Sequence, residues 1–449
     1  MFTLIYSLRH STLTAISPAI MGINRNSDDV PLEPTGSSAS GSCPGNEKLI
    51  FGQGYRAWAQ AFGSFMVFFS IGGMINMYGV YQQAYQVEGK LGASESAISW
   101  IGSVQSSLCL VLGIIAGPLC DHGYFYYLVY SGIFFVVLGQ MMLSLCTSYY
   151  QIFLSQGICM GFGSGLVFLP AFCVLVPYFD RQLEIAVGIA AMGGGVGAIA
   201  LQIIFSQIID KVGFPWTTRV IGLVLMVPLL IAAAILRVKK SSVEPPPLGD
   251  FIDYTIFEEP ASVVFLLGVV MATISITSPG YYIQGYAYAI NIQDTALISY
   301  LLPIYMAAYT CGCFGLNALA KWLGPFNVTS VAVLLSGALS WALVDLRNEG
   351  GLVFLVFCFG FLSAAVSSLP PACYVKMCPD LSRVGSRMGC GYVASTIGSL
   401  VGAPIAGAIL DRYRYNALWM FTASMSLAGG ALFFISRGLY GGWRMRITA

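Results

Sequence analysis

Twelve long apolar stretches run through the 449-residue chain, and they constrain its fold more than any other feature. A helix that crosses a membrane needs about 20 mostly apolar residues, with its charges kept near the ends. Only 9% of the residues are charged and 57% are hydrophobic, whereas a soluble protein carries about 25% charged residues. Because so few charges cannot wet the surface of a chain this size, the pattern predicts an all-α, polytopic membrane protein. It excludes a cytosolic enzyme and a nucleic-acid binder.

The predicted helices form two groups of six, which are separated by a polar segment. The first half, residues 55–236, has helices near Ala57–Tyr81, Ser96–Leu119, Tyr124–Leu145, Tyr150–Val176, Glu184–Ile208 and Pro215–Leu236. The second half, residues 261–436, has helices near Ala261–Tyr286, Ala296–Leu319, Val328–Val344, Gly351–Val375, Gly385–Ile409 and Ala417–Ser436. The polar compositions predict a disordered tail at 1–54, a linker at 237–260 and a second tail at 437–449.

The distribution of Lys and Arg among the predicted loops indicates the orientation of the chain. Fifteen of the 21 basic residues fall on the side that carries both termini, and six fall on the other side. Basic residues are retained on the cytosolic side of a membrane. We therefore expect the tails and the linker to be cytoplasmic. The plasma membrane is the expected location, with a vacuolar or other internal membrane as the alternative.

Two motifs are repeated in the two halves, and others follow along the membrane region. Gly117–Gly123 is matched by Asn317–Gly324, and Pro177–Arg181 is matched by Pro379–Arg383. Further motifs are Ser96–Gln105, Met192–Gly197, Pro279–Tyr286, Tyr300–Ile304 and Gly402–Gly407. Because these motifs occur in this order along the sequence, the chain resembles the major facilitator superfamily and, more narrowly, its fungal monocarboxylate-porter-like branch. The resemblance implies two pseudo-symmetric six-helix halves that rock about a binding site at the middle of the membrane.

The resemblance also implies gating residues in the repeated loop motifs. Asp121 matches the acid of the junction between helices 2 and 3, whose contacts break and re-form between inward and outward states. The alternative is that Asp121 is a solvated loop acid which caps the next helix. Lys321, Arg181 and Arg383 stand at the corresponding loop positions. The motif departs from the family here, because His122 and tyrosines follow Asp121 where basic residues are usual, and Lys321 replaces an acid.

The 20 acidic residues all fall in a tail, in a loop or at the end of a predicted helix. A carboxylate at mid-depth is the usual carrier of a coupled proton and is costly to keep in lipid. Proton coupling through a buried carboxylate is therefore not supported. Facilitated diffusion, or coupling through a helix-end residue such as Asp121 or Glu184, stays open.

Uncharged polar and aromatic residues are the candidates for contact with a solute. Such side chains hold an amphipathic molecule by hydrogen bonds and ring contacts. The alternative for each residue is that its polar group hydrogen-bonds a neighbouring helix. The candidate binding residues are Asn76, Tyr78, Gln105, Gln156, Ser278, Tyr282, Tyr305 and Tyr309.

Glycines recur at four-residue spacing inside the apolar stretches. A phosphate-binding glycine loop follows a strand and opens a helix, which this context does not provide. Four-residue spacing instead allows helix backbones to approach closely. We therefore assign helix packing to Gly157, Gly161, Gly165, Gly193, Gly197, Gly398 and Gly402.

These features together predict a secondary transporter that moves a small organic solute by alternating access. The branch suggests a monocarboxylate-like solute, whereas the lack of charge favours an uncharged or amphipathic one, such as a secondary metabolite for export. A non-transporting nutrient sensor on the same scaffold is the alternative, and an enzyme is not expected.

Because the cysteines and histidines lack metal-ligand spacing, no metal or cofactor is expected. The expected partners are a small-molecule substrate and membrane lipid, and no nucleic acid is expected. The expected oligomeric state is a monomer.

Overall fold

The computed structural model describes residues 54–87, 95–179, 182–238, 255–290, 292, 295–344, 346, 348–378 and 383–442. The described part of the chain is helical and contains no strand. Eleven of its helices are long and apolar enough to cross a membrane. The predicted all-α, polytopic fold is thereby confirmed. Both predicted tails, for the most part, and the centre of the predicted linker lie outside the described residues.

We number the membrane-crossing segments α1 to α12. In the first half, α1 is Tyr55–Asn76 continued as Tyr78–Val87, and α2 is Glu95–Val111 continued as Gly113–Asp121. Helix α3 is Phe125–Leu143, and α4 comprises Tyr149–Ile152, a π-helical stretch at Phe153–Met160, and Gly161–Cys173. Helices α5 and α6 are residues 183–212 and 214–235, the two parts of one continuous element, Leu183–Ile235.

A single glycine separates α5 from α6. Gly213 has φ 76° and ψ 170°, a backbone conformation that glycine adopts without a steric penalty. Near one end of α1, the ring of Tyr81 contacts Phe205 of α5 and Phe214 of α6. Near the other end of α1, the Gln60 amide donates to the Ile235 carbonyl at the end of α6. The chain therefore reverses its direction at Gly213. Because the element Leu183–Ile235 crosses the membrane twice, the eleven helices provide the twelve predicted crossings.

The second half repeats this arrangement with six separate helices. They are α7 (Pro260–Ala289), α8 (Thr295–Leu323), α9 (Pro325–Ala342), α10 (Glu349–Ser368, continued as Pro370–Lys376), α11 (Val384–Arg412) and α12 (Tyr415–Gly441). Prolines occupy the first position of α7 and α9, where the missing N–H has no intrahelical acceptor to lose. The predicted helix near Val328–Val344, the shortest predicted, corresponds to α9.

Close backbone contacts join helices within each half. A Cβ added to Gly197 of α5 would lie 2.0 Å from the Phe69 carbonyl oxygen of α1, so no larger residue fits at this crossing. The remaining glycines that we assigned to packing face neighbouring helices: Gly193 faces α1, Gly157, Gly161 and Gly165 face α2, and Gly398 and Gly402 face α7.

Candidate functional site

The two halves meet where α2 crosses α11. A Cβ on Gly117 of α2 would lie 2.1 Å from the Gly385 carbonyl oxygen, and one on Gly389 of α11 would lie 2.3 Å from the Gly113 carbonyl oxygen. Glycines at four-residue spacing on both helices therefore bring the two backbones into direct contact. A second contact joins α5 to α8, where Gly188 lies against Asn317.

Asp121, the last residue of α2, accepts hydrogen bonds from the first turn of α11. The Gly385 N–H donates to Oδ1 over 2.9 Å, and the Ser386 N–H and hydroxyl donate to Oδ2 over 2.8 and 3.0 Å. The first N–H groups of a helix lack intrahelical acceptors and favour negative charge. Arg383, at the N-cap position of α11, provides no side-chain cap. One half of the molecule thus caps a helix of the other.

Two ion pairs lie at the same end of the bundle, which we call the Asp121 end. Lys376 of α10 pairs with the buried Glu184 of α5 over 3.5 Å and so also joins the halves. Arg387 of α11, fully buried, pairs with Glu259, and it donates a hydrogen bond of 2.9 Å to the Ser262 hydroxyl. Neither Arg387 nor Glu259 is among the site residues that we predicted from the sequence. The sequence did contain a signal for Arg387, because this basic residue stands at the third position of the apolar helix predicted near Gly385–Ile409.

The predicted gating residues lie in different environments. Asp121 contacts the other half, as described above. Lys321 is exposed near the end of α8, and Arg383 is half-buried just before α11. Arg181 lies outside the described residues.

A central cavity of about 240 Å³ lies between the halves. It borders the α2–α11 crossing, since Gly113 of that crossing also approaches Tyr392. None of the described residues that line the cavity is charged. Its polar lining residues are Asn76, Ser106, Thr273, Thr277, Tyr309, Ser367, Tyr392, Ser395 and Ser399.

Aromatic rings from both halves meet at this cavity. The Tyr392 ring of α11 stacks on Phe172 of α4, with centroids 6.4 Å apart and planes 12° apart, and meets Phe168 edge-on at 5.3 Å. Phe68 of α1 contacts both phenylalanines. The hydroxyl of Tyr392 is buried and has no hydrogen-bond partner among the described residues. The cavity is therefore lined by aromatic rings, and one of its lining residues carries a buried hydroxyl without a partner among the described residues.

Two of the eight candidate binding residues, Asn76 and Tyr309, line the central cavity. They lie on α1 and α8, on opposite sides of the interface between the halves. Other polar residues of the lining were not among the candidates, chiefly Tyr392, Ser395 and Ser399 of α11. Their spacing of three and four residues places them on one helix face, a signal that the sequence contained.

The other six candidates lie between helices. Tyr78 donates to the Ile98 carbonyl over 2.5 Å, Gln156 accepts from the Tyr85 hydroxyl over 2.5 Å, and Tyr305 donates to the Ser363 hydroxyl over 3.0 Å. The hydroxyl of Tyr282 lies close to Gly407 of α11. The side chains of Gln105 and Ser278 are buried without a hydrogen-bond partner in the described part of the chain.

A second, outer cavity of about 600 Å³ lies farther from the Asp121 end. Four of the helices that line the central cavity, α1, α5, α7 and α8, also line this one, at positions farther from that end. Among the described residues, no group of three His, Cys, Asp or Glu comes together as a metal site would require.

Two helical halves, with uncharged cavities between them and polar contacts closing one end, define a membrane transport protein. The sequence profile of the Major Facilitator Superfamily matches residues 57–380. The chain belongs to this superfamily. It is thus an integral, multi-pass membrane protein, as the twelve apolar stretches predicted.

Curated fungal relatives support the same assignment. The chain is 36% identical over 389 residues to "MFS-type transporter dbaD" of Emericella nidulans, covering 85% of this chain and 86% of the relative. It is 30% identical to "Agnestins efflux protein AgnL12" of Paecilomyces divaricatus, covering 92% and 94%. It is 29% identical to "Aspyridones efflux protein apdF" of Emericella nidulans, covering 85% and 77%.

A solved structure shares the fold. The major facilitator transporter FucP, described as being in the outward conformation, superposes with a TM-score of 0.63 at 16% identity. The match covers 84% of this chain and 98% of FucP. The monocarboxylate-porter-like branch stays a prediction.

Proposed function

We propose that this chain is a secondary transporter that exports a neutral or amphipathic small organic molecule by alternating access. The observation that carries the proposal is the central cavity, which lies between the halves and is lined by rings, hydroxyls and an amide without charge among its described residues. A solute held between two halves is released to either side when the halves rock.

The arrangement of contacts corresponds to one state of such a cycle. The α2–α11 crossing, the Asp121 cap and the Lys376–Glu184 pair join the halves at the Asp121 end. The cavities lie farther along the same helices. With the termini in the cytosol, as the basic residues predict, the Asp121 end faces the cytosol and this state is outward-facing. The plasma membrane is the location that fits export.

The binding residues that we propose are Asn76, Tyr309 and Tyr392. Asn76 belongs to the first half, whereas Tyr309 and Tyr392 belong to the second, so a bound solute contacts both halves. Phe172 and Tyr392 offer ring faces for an aromatic solute. The six candidates between helices have packing roles in this proposal.

The solute class follows from the chemistry of the lining. A buried carboxylate on the solute would need a cationic partner or several donors to offset its desolvation, and the described lining has no cation. A neutral molecule with an aromatic body and hydroxyl or carbonyl groups fits better. Two relatives are named as efflux proteins for aspyridones and agnestins, which favours export of a secondary metabolite over uptake of a monocarboxylate.

Asp121 is the residue that we propose as the gate. For the cytosolic end to open, its carboxylate must leave the first turn of α11 and the glycine crossing must separate. Hydrogen bonds to a charged group contribute about 1.5–3 kcal/mol each. The cap is therefore strong enough to set the balance between the two states.

The test is transport by the purified protein in liposomes, with labelled neutral metabolites and labelled monocarboxylates compared side by side. Flux of neutral aromatic compounds, unaffected by a pH gradient, would support facilitated movement through the uncharged cavity. Preference for monocarboxylates would contradict the proposed solute class. Strong acceleration by the gradient would indicate coupling through a helix-end group such as Asp121 or Glu184. Absence of flux for every compound would favour a sensor on the transporter scaffold.

A further inference from the structure

The outer cavity is lined by glutamines from three helices. Gln82 lies on α1, Gln202 and Gln207 lie on α5, and Gln284 lies on α7. Ser206 and Tyr300 add hydroxyl groups. The described lining of this cavity contains no charged residue. Amides both donate and accept hydrogen bonds, so this cavity is polar without having an electrostatic preference for either sign.

One of these amides has a buried nitrogen without a hydrogen-bond partner among the described residues. Gln202 is only 7% exposed, and its Nε2 has no hydrogen-bond acceptor among the described residues. Buried polar groups in folded proteins are nearly always hydrogen-bonded. A buried donor that lacks an acceptor at the wall of a cavity therefore indicates a position where a ligand oxygen is accommodated.

The apolar part of the lining defines the rest of the ligand. Ile199 and Ile203 of α5 and Leu302 and Pro303 of α8 lie among the polar groups. Such a mixture suits a molecule with a flat or compact apolar body and neutral oxygen substituents. A charged ligand would find no counterion in the described lining.

We propose that the outer cavity is a second binding site, separate from the central cavity, for neutral compounds that carry hydroxyl or carbonyl groups on an apolar body. Gln202 donates to the ligand oxygen, and the other glutamines complete the polar contacts. Because both cavities lie along α1, α5, α7 and α8, the outer site holds the solute after it leaves the central cavity. That role rests on the proposed transport function, whereas binding at the site does not.

The experiment is photolabelling of the full chain in lipid nanodiscs with two probes, dihydroxybenzophenone and unsubstituted benzophenone. On illumination the ketone of either probe abstracts a hydrogen atom from a nearby C–H group, and the two carbon radicals join in a C–C bond that leaves the probe as a tertiary alcohol. Mass spectrometry then locates the adduct. We expect dihydroxybenzophenone to label residues 199–207 and 300–303 about tenfold more than benzophenone does. Equal labelling of these segments by the two probes would overturn the proposal, and so would labelling confined to the central cavity.

Variants of Gln202 test the donor itself. Gln202→Leu keeps the side-chain volume but removes the amide, and we expect outer-cavity labelling by dihydroxybenzophenone to fall about fivefold. Gln202→Asn keeps an amide on a shorter side chain, so its outer-cavity labelling should lie between that of the wild-type chain and that of Gln202→Leu. The matched control is Gln182→Leu, the same substitution just before α5 at the Asp121 end, which should leave labelling unchanged.

Labelling at residues 168–172 and 392–399 of the central cavity provides an internal reference in each sample. It should persist in Gln202→Leu, which shows that this variant is folded. Unchanged outer-cavity labelling in Gln202→Leu would overturn the role of the amide. If the wild-type chain moves none of the compounds in liposomes, the transport proposal fails, whereas the labelling result still supports a binding site in the outer cavity.

Discussion

Ser386 donates two hydrogen bonds to one oxygen of Asp121, through its backbone N–H at 2.8 Å and its hydroxyl at 3.0 Å. The two residues are 265 positions apart and belong to different halves of the molecule. With the Gly385 N–H on the other oxygen, the carboxylate has three donors from one helix turn. A side chain of α2 therefore completes the start of α11 only while the halves are closed at this end.

Removing this carboxylate should shift the molecule toward the state that is open at the Asp121 end. Asp121→Asn keeps the shape but cannot accept at both positions, and Asp121→Ala accepts at neither. Since hydrogen bonds to charged groups contribute about 1.5–3 kcal/mol, we expect a shift of about tenfold or more for Asp121→Ala and a smaller one for Asp121→Asn. Alkylation of Cys109, which lines the central cavity, reports the shift when a membrane-impermeant maleimide is added from the Asp121 side of oriented vesicles.

Ser386→Ala and Gln182→Leu provide the comparison for this experiment. Ser386→Ala loses one of the three donors, which at about 1.5 kcal/mol should raise Cys109 alkylation about tenfold, less than Asp121→Ala does. Gln182→Leu changes a residue near the same end that makes no side-chain cap and should have no effect. Equal alkylation in Asp121→Ala and the wild-type chain would show that the cap does not control the closed end.

Gly117→Ala should disturb the closed state without unfolding either half. The added methyl would lie 2.1 Å from the Gly385 carbonyl oxygen in the other half, so this severe clash exists only while α2 and α11 touch. Its other close neighbour, Leu169 Cδ2 at 3.2 Å in the same half, is the end of a flexible side chain that can shift. Cys109 alkylation from the Asp121 side should rise as it does in Asp121→Ala, with little change in the unfolding temperature. Gly157→Ala is the matched control, because its methyl meets nothing closer than 3.5 Å. A large loss of thermal stability in Gly117→Ala, without added alkylation, would contradict this prediction.

Tyr392→Phe should weaken binding of hydroxylated aromatic compounds and spare unsubstituted ones. The ring contacts with Phe168 and Phe172 remain in this variant, while the unpartnered hydroxyl is lost. A hydrogen bond of about 0.5–1.5 kcal/mol corresponds to a loss of affinity of about twofold to tenfold. Equilibrium binding of dihydroxybenzophenone and benzophenone to the purified protein measures it.

The matched control for Tyr392→Phe is Tyr286→Phe. The Tyr286 hydroxyl donates to the Leu343 carbonyl over 2.6 Å and lies away from the described lining of the central cavity. This variant should lose some stability but no affinity. If both variants bind the two probes as the wild-type chain does, Tyr392 has a packing role only.

Arg387→Met should destabilise the second half by removing a buried cation from its pair with Glu259. Glu259 is partly exposed and regains water, so the cost should fall below the 3–5 kcal/mol seen when a fully buried pair is broken. We expect the free energy of unfolding to fall by about 1–3 kcal/mol, which is measured as a fall of several degrees in the thermal unfolding midpoint in detergent. The double variant with Glu259→Gln should recover part of this loss. If Arg387→Met unfolds at the wild-type temperature, the pair does not stabilise the fold.

The sequence predicted the helices well because their signal is local. Runs of apolar residues define membrane helices wherever they pack, and the repeated loop motifs indicated two halves. The predicted gap between Ile208 and Pro215 contains the reversal at Gly213. What the sequence did not show is that a single glycine with positive φ makes this turn while the flanking residues stay helical.

The site was harder to predict, because helical periodicity shows which residues share a face but not which helix that face meets. Asn76 and Tyr309 face the central cavity, whereas Tyr78 and Tyr305, of similar polarity, hydrogen-bond neighbouring helices. Tyr392 lies in the same predicted helix as Gly398 and Gly402, which we assigned to packing, and was not among the candidate binding residues. Its contact with Phe172 joins helices α4 and α11, and only the tertiary structure brings them together.

The glycine crossing of α2 and α11 has a consequence for the speed of the proposed transport cycle. Glycine has no rotamers to lose, so joining these two surfaces costs no side-chain entropy at Gly113, Gly117, Gly385 or Gly389. Separating them likewise rearranges no side chain at these four positions. Resealing of this end needs the Asp121 cap and the Lys376–Glu184 pair to form again, rather than a side-chain core to repack across the crossing.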